Sequence, residues 1–115
     1  MEALLESFIN EELDINVKVK DGKTILMLAA EEGRVDTVKA LIRKGVDVNI
    51  KEEKHGRTAL LYAVWLGDIE TVQALIDGGA DVNAKDIEEA TILDIAIIRE
   101  NAEVIKLLRK AGARQ

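Results

Sequence analysis

Thr24, Gly33, Leu41, Gly45 and Asn49 recur 34 positions later as Thr58, Gly67, Leu75, Gly79 and Asn83. DGKTILMLAAEEGRVDTVKALIRKGVDVN, beginning at Asp21, thus lies over HGRTALLYAVWLGDIETVQALIDGGADVN, beginning at His55. A third copy, TILDIAIIRENAEVIKLLRKAGA, follows 33 positions on, with Thr91, Leu108 and Gly112 in register. The difference of one residue falls in the linker, where IKEEKHG is a position longer than AKDIEE. Upstream, ALLESFINEELDIN matches only the second half of a unit, with Asp14 and Asn16 standing 33 before Asp47 and Asn49. Self-similarity at this period restricts the chain to a stacked array, because no single unit can bury its apolar stripe alone.

Each unit reads as two helices and a loop. Gly22 and Gly56 mark a tight turn, and Thr24 and Thr58 then offer a hydroxyl to the free N–H groups of a helix start. A short first helix follows, TILMLAAEE or TALLYAVWL, in which Ala29, Ala30 and Ala63 permit close approach of a neighbouring helix. Gly33 and Gly67 suit a left-handed stop. In the second helix, Val38, Leu41 and Ile42, then Val72, Leu75 and Ile76, keep the i, i+3, i+4 spacing of one apolar face. Gly45 and Gly79 end it, and DVN leads into a hairpin-like loop. Leu41, Leu75 and Leu108 are expected among the most buried residues.

The repeated motif resembles the ankyrin repeat, G-x-T-P-L-H-x-A-A-x-x-G followed by V-x-x-L-L and G-A-D-V-N. GGADVNAKD, residues 78 to 86, matches the end of that motif, and ILDIAIIRENAEVIKLL resembles the capping repeat at the end of such arrays. The resemblance implies an all-α ankyrin-type solenoid over residues 1–115, with an N-terminal half repeat, two full repeats and a C-terminal capping repeat. The departures are regular. Ile25, Ala59 and Ile92 replace the motif's proline, which accounts for a chain without proline; Met27, Leu61 and Asp94 replace its histidine. That histidine ties neighbouring repeats by hydrogen bonds in the family, so apolar packing is expected to take over the task here.

The same resemblance implies a partner protein held in the concave groove lined by the first helices and along the loop tips beside it. The positions that the repeat leaves free are Lys20, Asp21, Lys23, Glu31 and Glu32 in the first full unit. In the second they are Lys54, His55, Arg57, Trp65 and Leu66, with Tyr62 at mid-helix. In the last they are Glu88, Ala90, Ile98 and Arg99, with Ile87 close by. Trp65 and Leu66 thus replace Glu31 and Glu32 of the preceding copy, and a tryptophan beside basic residues has the composition of a binding hot spot. The competing expectation is that Trp65 packs on Ile98 and shields the last unit. Tyr62 is expected half-buried with its hydroxyl reaching the groove, and His55 at a loop surface. Lys54, Arg57 and Arg99 would form a basic spot. The side-chain amides of Asn16, Asn49 and Asn83 are expected to hold their own turns.

Other function classes have little support. A net charge of −6 disfavours capture of phosphate backbones and of anionic membranes. There is no cysteine, and one histidine cannot build a His-rich metal site. The pairs Glu11–Glu12, Glu31–Glu32, Glu52–Glu53 and Glu88–Glu89 lie near helix ends or linkers, with no pocket to tune a carboxylate. Ser7, the only serine, lacks a histidine partner, and DGGAD lacks the ligand alternation of a calcium loop. The expectation is therefore no enzyme, no cofactor, no metal, no small-molecule substrate, no nucleic acid and no membrane. MEALLESFIN has no signal-peptide pattern, and no apolar run nears the ~20 residues of a span, so an intracellular, cytoplasmic setting is expected. The alternative function is an engineered or truncated scaffold without a physiological ligand. A thin apolar edge is expected on the Ile25–Leu28 helix, covered only by Met1 to Ile9, Val17 or Val19, and prone to self-association into a homo-oligomer or to completion by another chain.

Overall fold

A computed structural model describes residues 14–115. Its elements follow the repeat. Strands β1 (Lys18–Lys20) and β2 (Lys23–Thr24) form an antiparallel hairpin with Lys18 opposite Thr24. Helices α1 (Ile25–Glu31) and α2 (Val35–Arg43) complete the first unit, α3 (Ala59–Leu66) and α4 (Ile69–Asp77) the second, and α5 (Ile92–Ile98) and α6 (Ala102–Lys110) the third. Within each unit the two helices pack together. Between units, α1 lies against α3 and α3 against α5, while α2, α4 and α6 form a second row.

The helix starts are those the threonines dictate. The hydroxyl oxygens of Thr24, Thr58 and Thr91 accept from the N–H groups of Met27, Leu61 and Asp94 at 3.3, 3.4 and 3.0 Å. At α5 the Asp94 carboxylate returns a bond from the Thr91 N–H at 3.1 Å, closing a capping box. Gly67 ends α3 in the left-handed region, where a Cβ would come within 2.9 Å of the Asn101 side chain. The backbone therefore favours glycine there, and a side chain would displace the Asn101 amide. The third unit has no glycine at the equivalent place; Glu100 adopts φ +55° instead, and Glu89 adopts φ +66° at the preceding loop. The array keeps its turns there at the cost of backbone strain, which the glycines at the equivalent places in the other units escape.

The core is continuous across the stack. Leu41, Leu75 and Leu108 are wholly buried, as are Ala29, Ala30 and Ala63. The first turn of α1 is buried too, since Ile25, Leu26 and Met27 expose 1% or less. The apolar edge expected on α1 is thus reduced, among the described residues, to part-buried Leu28 and to Val17, 40% exposed. Met1 to Ile9, the cover proposed for it, and the pair Glu11–Glu12 lie outside the described residues.

Two expectations about the polar ties need correction. The asparagine amides do not hold their own turns; they bridge successive units. The Asn16 side-chain oxygen accepts from the Asp47 N–H at 2.8 Å. Asn49 accepts from the Asp81 N–H at 2.7 Å and donates to the Gly79 carbonyl at 3.1 Å. Asn83 repeats this with Arg114 and Gly112 at 2.8 and 3.1 Å. Each turn is instead held by its aspartate, whose carboxylate accepts from the asparagine N–H two residues on. Apolar packing therefore does not replace the histidine alone, because a ladder of asparagines joins the units along the loops.

Candidate functional site

Helix α3 is apolar on all sides, ALLYAVWL, and so belongs in the middle of a stack. Six of its eight residues are buried. Only its last two, Trp65 and Leu66, emerge, at 50% and 48% exposure, because the chain must turn at Gly67 before the neighbouring helices can cover them. Leu66 lies beside Gly33, where a Cβ would meet its side chain at 3.0 Å. The Arg99 guanidinium stands 4.5 Å from the centre of the Trp65 ring, a cation–π contact that ties the second unit to the third. Ile98, the residue expected to pack on Trp65, is itself 68% exposed.

Trp65 and Leu66 flank a concavity of about 210 Å3, whose floor comes from Leu61, Tyr62 and Ile95 and whose polar lining comes from Glu31, Arg57 and Asp86. Its size is below the ~300–1,000 Å3 of pockets that enclose small ligands. A second, more open concavity between the hairpin tips is lined by Asp21, Lys23, Glu52, Lys54, His55 and Arg57, among others. Arg57 and Tyr62 border both, so the two concavities adjoin between the hairpin tips and the ends of the first helices.

Tyr62 is more buried than expected, at 7% exposure; it is floor rather than rim. Burial, followed by the nearby Glu52 charge, raises the pKa of its hydroxyl. Lys23 reaches over its ring, with the ammonium 4.9 Å from the centre, and bonds to Glu31 at 3.1 Å. Burial works against the charge on Lys23, but the bond to Glu31 and the charges of Tyr62, Glu31 and Asp21 together hold its pKa above the ordinary value. Glu32 lies 3.7 Å from Arg34 at the end of α1.

The residue that sequence reasoning missed is Glu52. Placed with Glu53 in a linker, it reads as one more solvated acid. In the structure it is 3% exposed, and its carboxylate accepts from the backbone N–H groups of Lys54, His55 and Arg57 at 2.8, 2.7 and 3.2 Å. Burial pushes its pKa upward, but the three backbone bonds and the nearby His55 outweigh this and hold it below the ordinary range. The carboxylate thereby shapes the tip that presents Lys54, His55 and Arg57. His55 is half-buried rather than free, with Nδ1 3.5 Å from Glu52 and its carbonyl accepting from the Ile87 N–H at 2.8 Å. Asp86, 34 residues after Glu52, does the same for Glu88 and Ala90 at 2.9 and 3.0 Å. That recurrence was a legible signal.

Of the residues named from the sequence, the structure brings Glu31, Arg57, Tyr62, Trp65 and Leu66 to one concavity and Lys23, Lys54 and His55 to the adjoining one. Arg99 joins through the Trp65 ring, whereas Glu32 and Ile98 line neither. Among the described residues, no cluster of acids and histidine could hold a metal ion, and no helix is long and apolar enough to cross a membrane.

These units and this groove define a helical repeat domain of the kind that generally serves protein–protein interaction. The family model for ankyrin repeats (3 copies) matches residues 1–86, and that for ankyrin repeats (many copies) matches residues 66–109. The chain belongs to the ankyrin-repeat family. It is 49% identical over 45 residues to delta-latroinsectotoxin-Lt1a of Latrodectus tredecimguttatus, covering 39% of this chain and 4% of that protein. It is 37% identical over 51 residues to a putative ankyrin repeat protein of Rickettsia felis, covering 44% of this chain and 19% of that protein. The chain thus aligns with only a small part of either curated relative.

Proposed function

We propose that the chain is a non-catalytic recognition module that holds a protein partner in its concave groove and along its hairpin tips. The observation that carries this reading is Trp65. A large aromatic ring stands half-exposed at the mouth of a concavity, on a helix whose first six residues are buried, and an arginine from the next unit stands against it. Such pre-positioning lowers the ordering cost of binding, and Trp and Arg are the residues that most often dominate interface energy. Leu66 and Ile98 extend the apolar surface on the helix ends, and Lys23, Lys54, His55 and Arg57 supply polar contacts towards the tips. Glu31 and Glu32 stand at the edge nearest the first unit.

The test is a cross-linking and capture experiment comparing the native chain, Trp65→Ala, and Lys39→Ala, an exposed change on α2 away from the groove. The reading requires a partner retained by the native chain and by Lys39→Ala but lost from Trp65→Ala, with all three equally helical by circular dichroism. Equal capture by all three would remove the groove from the account.

A further inference from the structure

The chain is acidic as a whole, and carboxylates outnumber cations in the lining of its groove, yet the charged donors there that lack a carboxylate partner among the described residues are Arg57, Lys54 and, at the Trp65 end, Arg99. The carboxylates there are already engaged. Glu31 is bonded to Lys23 at 3.1 Å, and Glu53 to Lys18 at 3.2 Å. Glu52 and Asp86 are occupied by backbone N–H groups of their own loops. Arg57, by contrast, lines both concavities and has no carboxylate within salt-bridge distance among the described residues; neither has Lys54 at the adjacent tip. Arg99 rests on the Trp65 ring and is likewise without an acidic partner among the described residues. Asp21 is the exception on the tip side, and its charge acts on Lys23.

We propose that the groove's occupant is a linear protein segment in which an apolar side chain stands beside one or more carboxylates. The apolar group seats on Trp65 and Leu66, and the carboxylates face Arg57 and Arg99, with Lys54 beyond. The inference rests on the reading of the groove as a recognition surface and adds the chemistry of what is recognised. Glu52 and Asp86 line the same concavities and oppose a carboxylate there, so the direct pairing with Arg57 has to outweigh them; the rest of the net charge of −6 matters less. Charges beyond a Debye length of about 8 Å are largely screened at physiological salt, whereas a carboxylate against Arg57 is inside that distance. An arginine also matches a carboxylate with two parallel hydrogen bonds, so the pairing adds orientation to attraction.

The experiment is selection of a displayed random-peptide library on the immobilised full chain, with subtraction on Trp65→Ala. The peptides that depend on Trp65 are expected to be enriched in Asp or Glu next to an aliphatic or aromatic residue. For a representative synthetic peptide, Arg57→Glu should weaken binding by about tenfold or more, while Asp21→Asn should leave it equal or tighter. Lys54→Glu, on an exposed side chain, supplies an independent reversal if Arg57→Glu fails to fold. Trp65-dependent peptides that are neutral or basic, or indifference to the charge reversals, would overturn the acidic assignment while leaving the groove as a recognition surface. No Trp65-dependent peptide at all, on a folded chain, would overturn both. Light scattering that shows Trp65-dependent dimers would give the groove to a second copy and equally overturn the proposal.

Discussion

Leu41, Leu75 and Leu108 hold the same place in three successive units, and each is wholly buried. At the ends of the first helices the same three units carry Glu31–Glu32, Trp65–Leu66 and Ile98–Arg99, and all six residues are exposed. One region is constant because every unit must fit its neighbours with a side chain of one shape. The other is unconstrained by stacking, and there the chain changes from paired acids to an aromatic and a leucine, then to an isoleucine and an arginine. The repeat thus separates what holds the array together from what it can offer to a partner.

The most severe way to break this comparison is at the constant region. Leu75→Ala should cost about 2–5 kcal/mol, read from denaturant or thermal unfolding, since the cavity would lie between two rows of helices. An unchanged midpoint would mean that the register of the stack is wrong. Next in size is Glu52→Gln, which replaces an acceptor facing three N–H groups with an amide that is itself a donor; the expected loss is about 1–3 kcal/mol. Its pH dependence has a definite sign. Because the folded pKa is depressed, the contribution of Glu52 is fully present above the ordinary carboxylate value of 4.5 and is lost as pH falls through the lower folded value. Glu52→Gln should therefore flatten the acid limb of the stability profile, and an identical acid limb would contradict the bonding described.

Asn49→Ala removes one rung of the ladder between units and should cost about 1 kcal/mol by the same unfolding measurements. A loss below the error of the measurement would return the joining of the units to packing alone. The smallest effect belongs to the variable region. A double-mutant cycle on Trp65→Ala and Arg99→Ala should give a coupling of about 0.5–1 kcal/mol, the scale of an exposed cation–π pair. Zero coupling would leave Trp65 without its positioning contact and weaken the case for a pre-set surface.

Much of the stack is legible in the sequence because its determinants are local and repeated. Thr24, Thr58 and Thr91 announce the helix starts, and the leucines recur in register. The third unit is harder to read between its helices, because Glu100 takes a left-handed conformation where the other copies have glycine. In the groove, the positions of Trp65, Leu66 and Arg57 follow from the repeat, but their surroundings do not. Glu52 looks like a surface acid because its three partners are backbone N–H groups, and only the matching acid 34 residues on, Asp86, hints at its role. The asparagine ladder is hidden for a related reason. Its acceptors and donors are main-chain atoms about 30 residues away, brought near only when the units stack. The Arg99 contact with the indole is hidden too, because it joins residues 34 positions apart that meet only when the units stack.

The central claim is that Trp65 belongs to the variable, presented region and not to the core. With a single tryptophan in the chain, its fluorescence reports on that one residue. The emission of the folded protein should lie towards the red and be readily quenched by acrylamide, with protection appearing when a groove-bound peptide is added. A blue spectrum that resists quencher in dilute, monomeric protein would place the ring inside the stack and contradict the account.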